Sequence, residues 1–145
     1  MREIKFRAWD KTAKKMYRVD RLGVGKRSYQ QYADGNNQPE TGKNKFYPSQ
    51  VEIMQYTGLK DKNGVEIYEG DIIDIHQTVN GYNQFVIEYD DYKFSARYYN
   101  QNTKEIGSWY NYDLDELFEI DEYEKEIEVI GNIYEDNVSN NKLGG

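Results

Sequence analysis

Cysteine is absent from this chain of 145 residues. That excludes disulfides, thiolate metal sites and a cysteine nucleophile, and it fits a reducing, intracellular setting. Histidine occurs once, at His76, so imidazole chemistry has a single candidate base. Apolar residues make up 37%, below the roughly 45–50% of ordinary globular domains. The longest apolar runs are a few residues, and MREIKFRAWD has no hydrophobic stretch of the kind a signal peptide needs. The expectation is a soluble, unexported protein with no membrane partner. No internal repeat is visible. What the chain does have is tyrosine, fifteen residues of it, so the core is expected to be aromatic and partly amphipathic. The length suits one domain or one domain with an appendage. A chain this long buries roughly two-thirds of its unfolded surface and needs no covalent staple.

The net charge of −7 hides a division. Residues 1–48 carry 12 Lys/Arg against 5 Asp/Glu, whereas residues 49–145 carry 7 against 21. Such asymmetry points to a basic binding face or to a basic segment lying on an acidic body, its own or a neighbour's.

EIKFRAWD alternates Ile4, Phe6 and Ala8 with Lys5, Arg7 and Trp9, the period-2 signature of a half-buried strand. Met16, Tyr17 and Val19 supply a return strand after DKTAKK, giving an opening hairpin. Residues 23–48 are rich in Gly, Asn, Gln, Lys and Ser and read as a long polar loop. Strand character resumes at VEIMQYT, then at VEIYEGD and IIDIHQTV. Asn80-Gly81 marks a hairpin reversal before FVIEY, and a second hairpin reverses at Asp90–Tyr92. DLDEL offers Asp113 as an N-cap with Glu116 three residues on, predicting one short helix. Alternation returns at Ile127, Val129, Ile130 and Ile133, and residues 136–145 read as a flexible tail. The expectation is a mainly β protein: a basic hairpin segment over 1–50, then a small barrel or sandwich over 51–135.

The densest patterning is MQYTGLKDKNGVEIYEGDII, residues 54–73. Asp61 and Asn63 fall at the third and fifth positions of a calcium loop with Gly64 sixth, but the first position is Leu59 and the twelfth Gly70. A loop lacking its first ligand and its closing carboxylate cannot complete the shell. Gly58, Gly64 and Gly70 are too widely spaced for a phosphate loop, and no Gly-Lys-Ser/Thr follows. What fits is a hairpin turn in which Asn63 and Gly64 tolerate positive φ, with a second corner at Gly70-Asp71.

This same stretch resembles the signature segment of the YopX protein family, small proteins of bacteriophages and prophages. REIKFRAWDKTAKKM (2–16) and EIEVIGNIYED (126–136) support the resemblance in the expected order. It implies an SH3-like β-barrel in the C-terminal part and a bacterial host cytoplasm. It carries over no catalytic residues and implies no activity.

The residues themselves offer little chemistry. Alternation puts His76 on the solvent side with Asp74, and Asp71 and Asp74, three apart on a strand, point to opposite faces. The acidic run DLDELFEIDEYEKE is explained by a helix cap and a solvated face. No catalytic, cofactor or metal residue is therefore assigned. The expected function is a non-enzymatic binding or self-assembling module, the partner being a second copy (a homo-oligomer) or another protein. Candidate partner-binding residues are Arg7, Trp9, Arg18, Arg21, Lys26 and Arg27. Because these cations interleave with Phe6, Tyr17, Tyr29 and Tyr32, nucleic-acid binding through phosphates and stacked bases is the alternative.

Overall fold

A computed structural model describes residues 3–22, 30–33, 45–46, 51–79, 81–90, 92–119, 126–135 and 142–143. The chain divides into two compact units, Met1–Tyr56 and Thr57–Gly145. The boundary falls after Tyr56 rather than at residue 50, because the first half of one strand pairs back onto the opening hairpin.

In the first unit, β1 (Phe6–Asp10) and β2 (Lys15–Leu22) form the hairpin that alternation predicts. Strand β3 (Gln30–Ala33) pairs with β2, and β4 (Lys45–Phe46) with β3. These short strands correct the expectation of an unbroken loop over 23–48. Tyr32 stands opposite Val19, so the outer side of β2 is a ladder that polar composition concealed. The rest of that expected loop lies outside the described residues. On the other side of β1 runs the first half of β5 (Val51–Lys60). Ala8 faces Tyr17 on one neighbour and Ile53 on the other. With Val51 and Val19 they make a small apolar cluster. Asp10 closes the hairpin turn: its Oδ1 accepts from the amides of Thr12 and Ala13 at 2.9 and 3.0 Å. That local competition for backbone amides is why Asp favours turns.

The second unit holds the remainder of β5, β6 (Glu66–Tyr68), β7 (Asp71–Val79), β8 (Tyr82–Asp90), β9 (Lys93–Asn100) and β10 (Glu105–Asp113). After them come α1 (Leu114–Glu119), β11 (Glu128–Asn132) and β12 (Lys142–Leu143). The sheet order is β11-β7-β8-β9-β10-β12, antiparallel except for the last pair. Sequence reading missed β10, whose alternation is hidden by Tyr, Trp and Asn. It also missed β12, where Lys142 and Leu143 run parallel to Ile106 and Gly107 inside the expected tail. The helix starts where it should. Asp113 Oδ1 accepts from the amides of Asp115 and Glu116, and Leu114 and Leu117 are buried.

Strand alternation divides the apolar residues between two faces. Ile73, Ile75, Phe85, Ile87, Phe94 and Ala96 join Ile67, Leu114, Leu117 and Ile127 in the main core. Ile72, Val86, Tyr99 and Ile106 cluster separately. Burying each large side chain stabilises the fold by about 1.5–3 kcal/mol, so the ten-residue cluster dominates this unit. Ladder register shifts between Asp74 and Val79, Ile106 and Asn111, and Val129 and Gly131. Bulges add twist, and the meander curls about its main core, which fits the SH3-like barrel that the family resemblance implies.

Candidate functional site

The turn at the centre of the densest motif is organised by Asp61, which is buried. Its amide donates to Val65 O at 2.8 Å and its carbonyl accepts from Gly64 N at 3.0 Å. Gly64 sits at φ 80°, whereas Asn63 is not among the positive-φ residues. The loop is therefore a three-residue hairpin connection with a single left-handed position, not the two positive-φ residues expected. Asp61 Oδ1 accepts from the amides of Asn63 and Val65 at 2.8 and 2.9 Å. Its Oδ2 accepts from Val129 N at 2.9 Å, and Lys62 N donates to Ile127 O at 2.9 Å. Both carboxylate oxygens are thus engaged by backbone amides, and the turn is stitched to β11, 68 residues away in sequence. Asp71 plays a similar part at the next corner, accepting from Tyr68 N at 2.8 Å beside Gly70 at φ 82°.

His76 lies in the bulged part of β7 with φ 56°. It is exposed, as expected. Its amide donates to Asp74 Oδ1 at 2.7 Å, an Asx-type contact that turns the backbone out of the ladder. The ring stands between two carboxylates. Nε2 is 3.2 Å from Glu128 Oε1, and Nδ1 is 3.8 Å from Asp74 Oδ1. Gln84 Nε2 donates to Asp74 Oδ2 at 3.3 Å and to Gln101 Oε1 at 2.9 Å, and Asn63 Nδ2 donates to Glu128 Oε2 at 3.3 Å. The two carboxylates meet opposite nitrogens of the ring, so they do not converge on one point. Among the described residues no group of three or more His, Cys, Asp or Glu is placed to hold a metal. Sequence reading put Asp74 and His76 together but had no means of finding Glu128, which arrives from β11 across 52 residues.

The candidate partner-binding residues are dispersed over the first unit. Arg7 and Arg18 stand directly opposite each other across β1 and β2. Arg18 is exposed and has no carboxylate partner among the described residues, while Arg7 is half-buried. Arg21 takes up the β2–β3 ladder opposite Gln31. Trp9 is 6% exposed, so its ring offers no open face for stacking. Lys26 and Arg27 lie outside the described residues.

Against known proteins, residues 5–138 match the model of the YopX protein family. The chain belongs to the YopX family. The crystal structure of protein EF1440 from Enterococcus faecalis is similar in fold, with a TM-score of 0.53 and 26% identity. The alignment covers 94% of this chain and 97% of that one. No curated protein matches. The match to the YopX model runs through both units described above, the basic hairpin and the curled sheet alike. No described helix is long and apolar enough to cross a membrane.

Proposed function

We propose that this YopX-family chain is a non-enzymatic binding module that assembles with itself, its N-terminal arginine face meeting an acidic surface of a second copy. The observation that carries the reading is the position of Arg18: exposed, without a carboxylate partner among the described residues, and across the ladder from Arg7. Like charges directly opposed on neighbouring strands are unfavourable, and an anion from outside the described residues relieves the charge of Arg18. The acidic excess of residues 49–145 supplies that anion in any second copy. Pairing through bare strand edges has less support. The outer side of β11 is tied to the Asp61 turn, and β4 and β12 are two residues each. A phage or prophage setting and the cytoplasm of a bacterial host belong to the same proposal.

The non-enzymatic part rests on His76, whose described side-chain partners are two carboxylates on opposite ring nitrogens. A His76→Ala protein is expected to fold and behave as the parent; loss of a reproducible hydrolytic activity in that variant alone overturns this part. Light scattering at low salt tests assembly. The expected mass is a multiple of 17.2 kDa that falls towards the monomer on replacing Arg18 and Arg21 by Ser. Screening over a Debye length of about 8–10 Å at physiological salt weakens it as well. The rival reading is nucleic-acid binding by the same arginines, with Trp9 removed from the stacking set by burial. A monomer that retains single-stranded DNA or RNA, with retention falling steeply as salt rises, would replace our proposal with that one.

A further inference from the structure

We infer that His76 is a pH-responsive latch: on taking a proton its ring bridges Asp74 on β7 and Glu128 on β11, fastening the bulged end of β7. This goes beyond the self-assembly reading and does not depend on it. Asp74 and Glu128 stand directly opposite each other in the β7–β11 ladder. Two carboxylates so placed repel, because like charges on facing strand residues are unfavourable. Each acid also accepts from a neutral amide. Gln84 Nε2 donates to Asp74 Oδ2 at 3.3 Å, and Asn63 Nδ2 donates to Glu128 Oε2 at 3.3 Å. Those bonds orient the acids without removing any charge. Among the described residues no lysine or arginine forms an ion pair with either acid. The imidazole of His76 reaches both.

The ring is placed for its charged form. Glu128 Oε1 lies 3.2 Å from Nε2, and Asp74 Oδ1 lies 3.8 Å from Nδ1. A neutral imidazole has a single N–H, so one nitrogen then turns a lone pair towards a carboxylate. An imidazolium carries a proton on each nitrogen and meets both acids. The other charged groups nearby do not compete. Asp61, which reaches β11 at Val129 N, has both oxygens on backbone amides. Lys62 on the same turn is exposed and forms no ion pair among the described residues. Register supplies the mechanical consequence. The β7–β8 ladder loses register after Asp74, and Glu128 is the first residue of β11. Past Asp74, the ring of His76 takes over from backbone pairing in holding β7 to β11. Because the folded state favours the proton, the latch contributes fully below the ordinary imidazole range. Its contribution is lost as pH rises through that range.

Urea unfolding at about pH 8 and about pH 5.5 brackets the imidazole range while staying above that of carboxylates. The parent is compared with His76→Ala and with Glu128→Gln, which keeps an acceptor oxygen and removes one charge. At the higher pH His76→Ala should match the parent. On acidification the folding equilibrium constant of the parent should gain about two- to fivefold over that of His76→Ala. The factor is small because the ring is 37% exposed. Glu128→Gln should gain less than the parent. Amide exchange at the lower pH locates the effect: Asp74 and Glu128 should exchange more slowly in the parent than in His76→Ala. An equal response of parent and His76→Ala to pH overturns the latch. A gain in Glu128→Gln as large as the parent's overturns the bridge to β11, and unchanged exchange at Asp74 and Glu128 does the same.

Discussion

Asp61 is the residue whose replacement should be most informative about the fold, because its two oxygens do separable work. Oδ1 holds the turn through the amides of Asn63 and Val65, and Oδ2 holds β11 through Val129 N. A hydrogen bond to a charged group contributes about 1.5–3 kcal/mol. The Asn63 and Val65 amides sit on an exposed turn and regain water when freed, so their share lies at the lower end. Val129 is half-buried and regains less. Asp61→Ala should therefore destabilise the second unit by about 4.5–6 kcal/mol. Asp61→Asn keeps one acceptor oxygen for the turn but sets an amide donor against Val129 N–H, and should lose about 1.5–3 kcal/mol. Urea unfolding reads both as shifts of the midpoint at constant slope. Amide exchange assigns them: Val129 should lose protection in both variants, Asn63 and Val65 in the alanine variant alone. Equal losses within about 0.5 kcal/mol, or exchange at Val129 unchanged in Asp61→Asn, would refute the division of labour. Because no oxygen of Asp61 is left to ligate, millimolar calcium should leave the midpoint of the parent where it is; a rise of several degrees would restore the calcium reading.

Gly64→Val should cost about 1–3 kcal/mol from backbone strain alone, since a Cβ at Gly64 meets nothing within 4 Å at φ 80°. Asn63→Ala should cost well under 1 kcal/mol, because its side chain makes one exposed contact to Glu128. Midpoints in urea distinguish the two, and equal costs would return Asn63 to the positive-φ role. Gly107→Ala should lower stability by about 1–3 kcal/mol, as its Cβ would lie 2.9 Å from Tyr98 Cδ1 and 3.2 Å from Tyr98 Cβ. An unchanged midpoint there would mean the Tyr98 ring moves freely aside.

The parts of this fold that sequence made legible are those governed by neighbours along the chain. Period-2 alternation found β1, β2, β7, β8 and β9, and local side-chain capping found α1, since Asp113 needs only the two amides that follow it. The parts it hid depend on pairing across distance. β3 and β12 are short strands set by their pairing with β2 and β10, and nothing within Gln30–Ala33 or Lys142–Leu143 announces that. The same division explains the sites. Asp61 was legible as a turn residue, but its hold on Val129 was not. Asp74 and His76 were legible as a pair, whereas Glu128 required the register of β11 on β7.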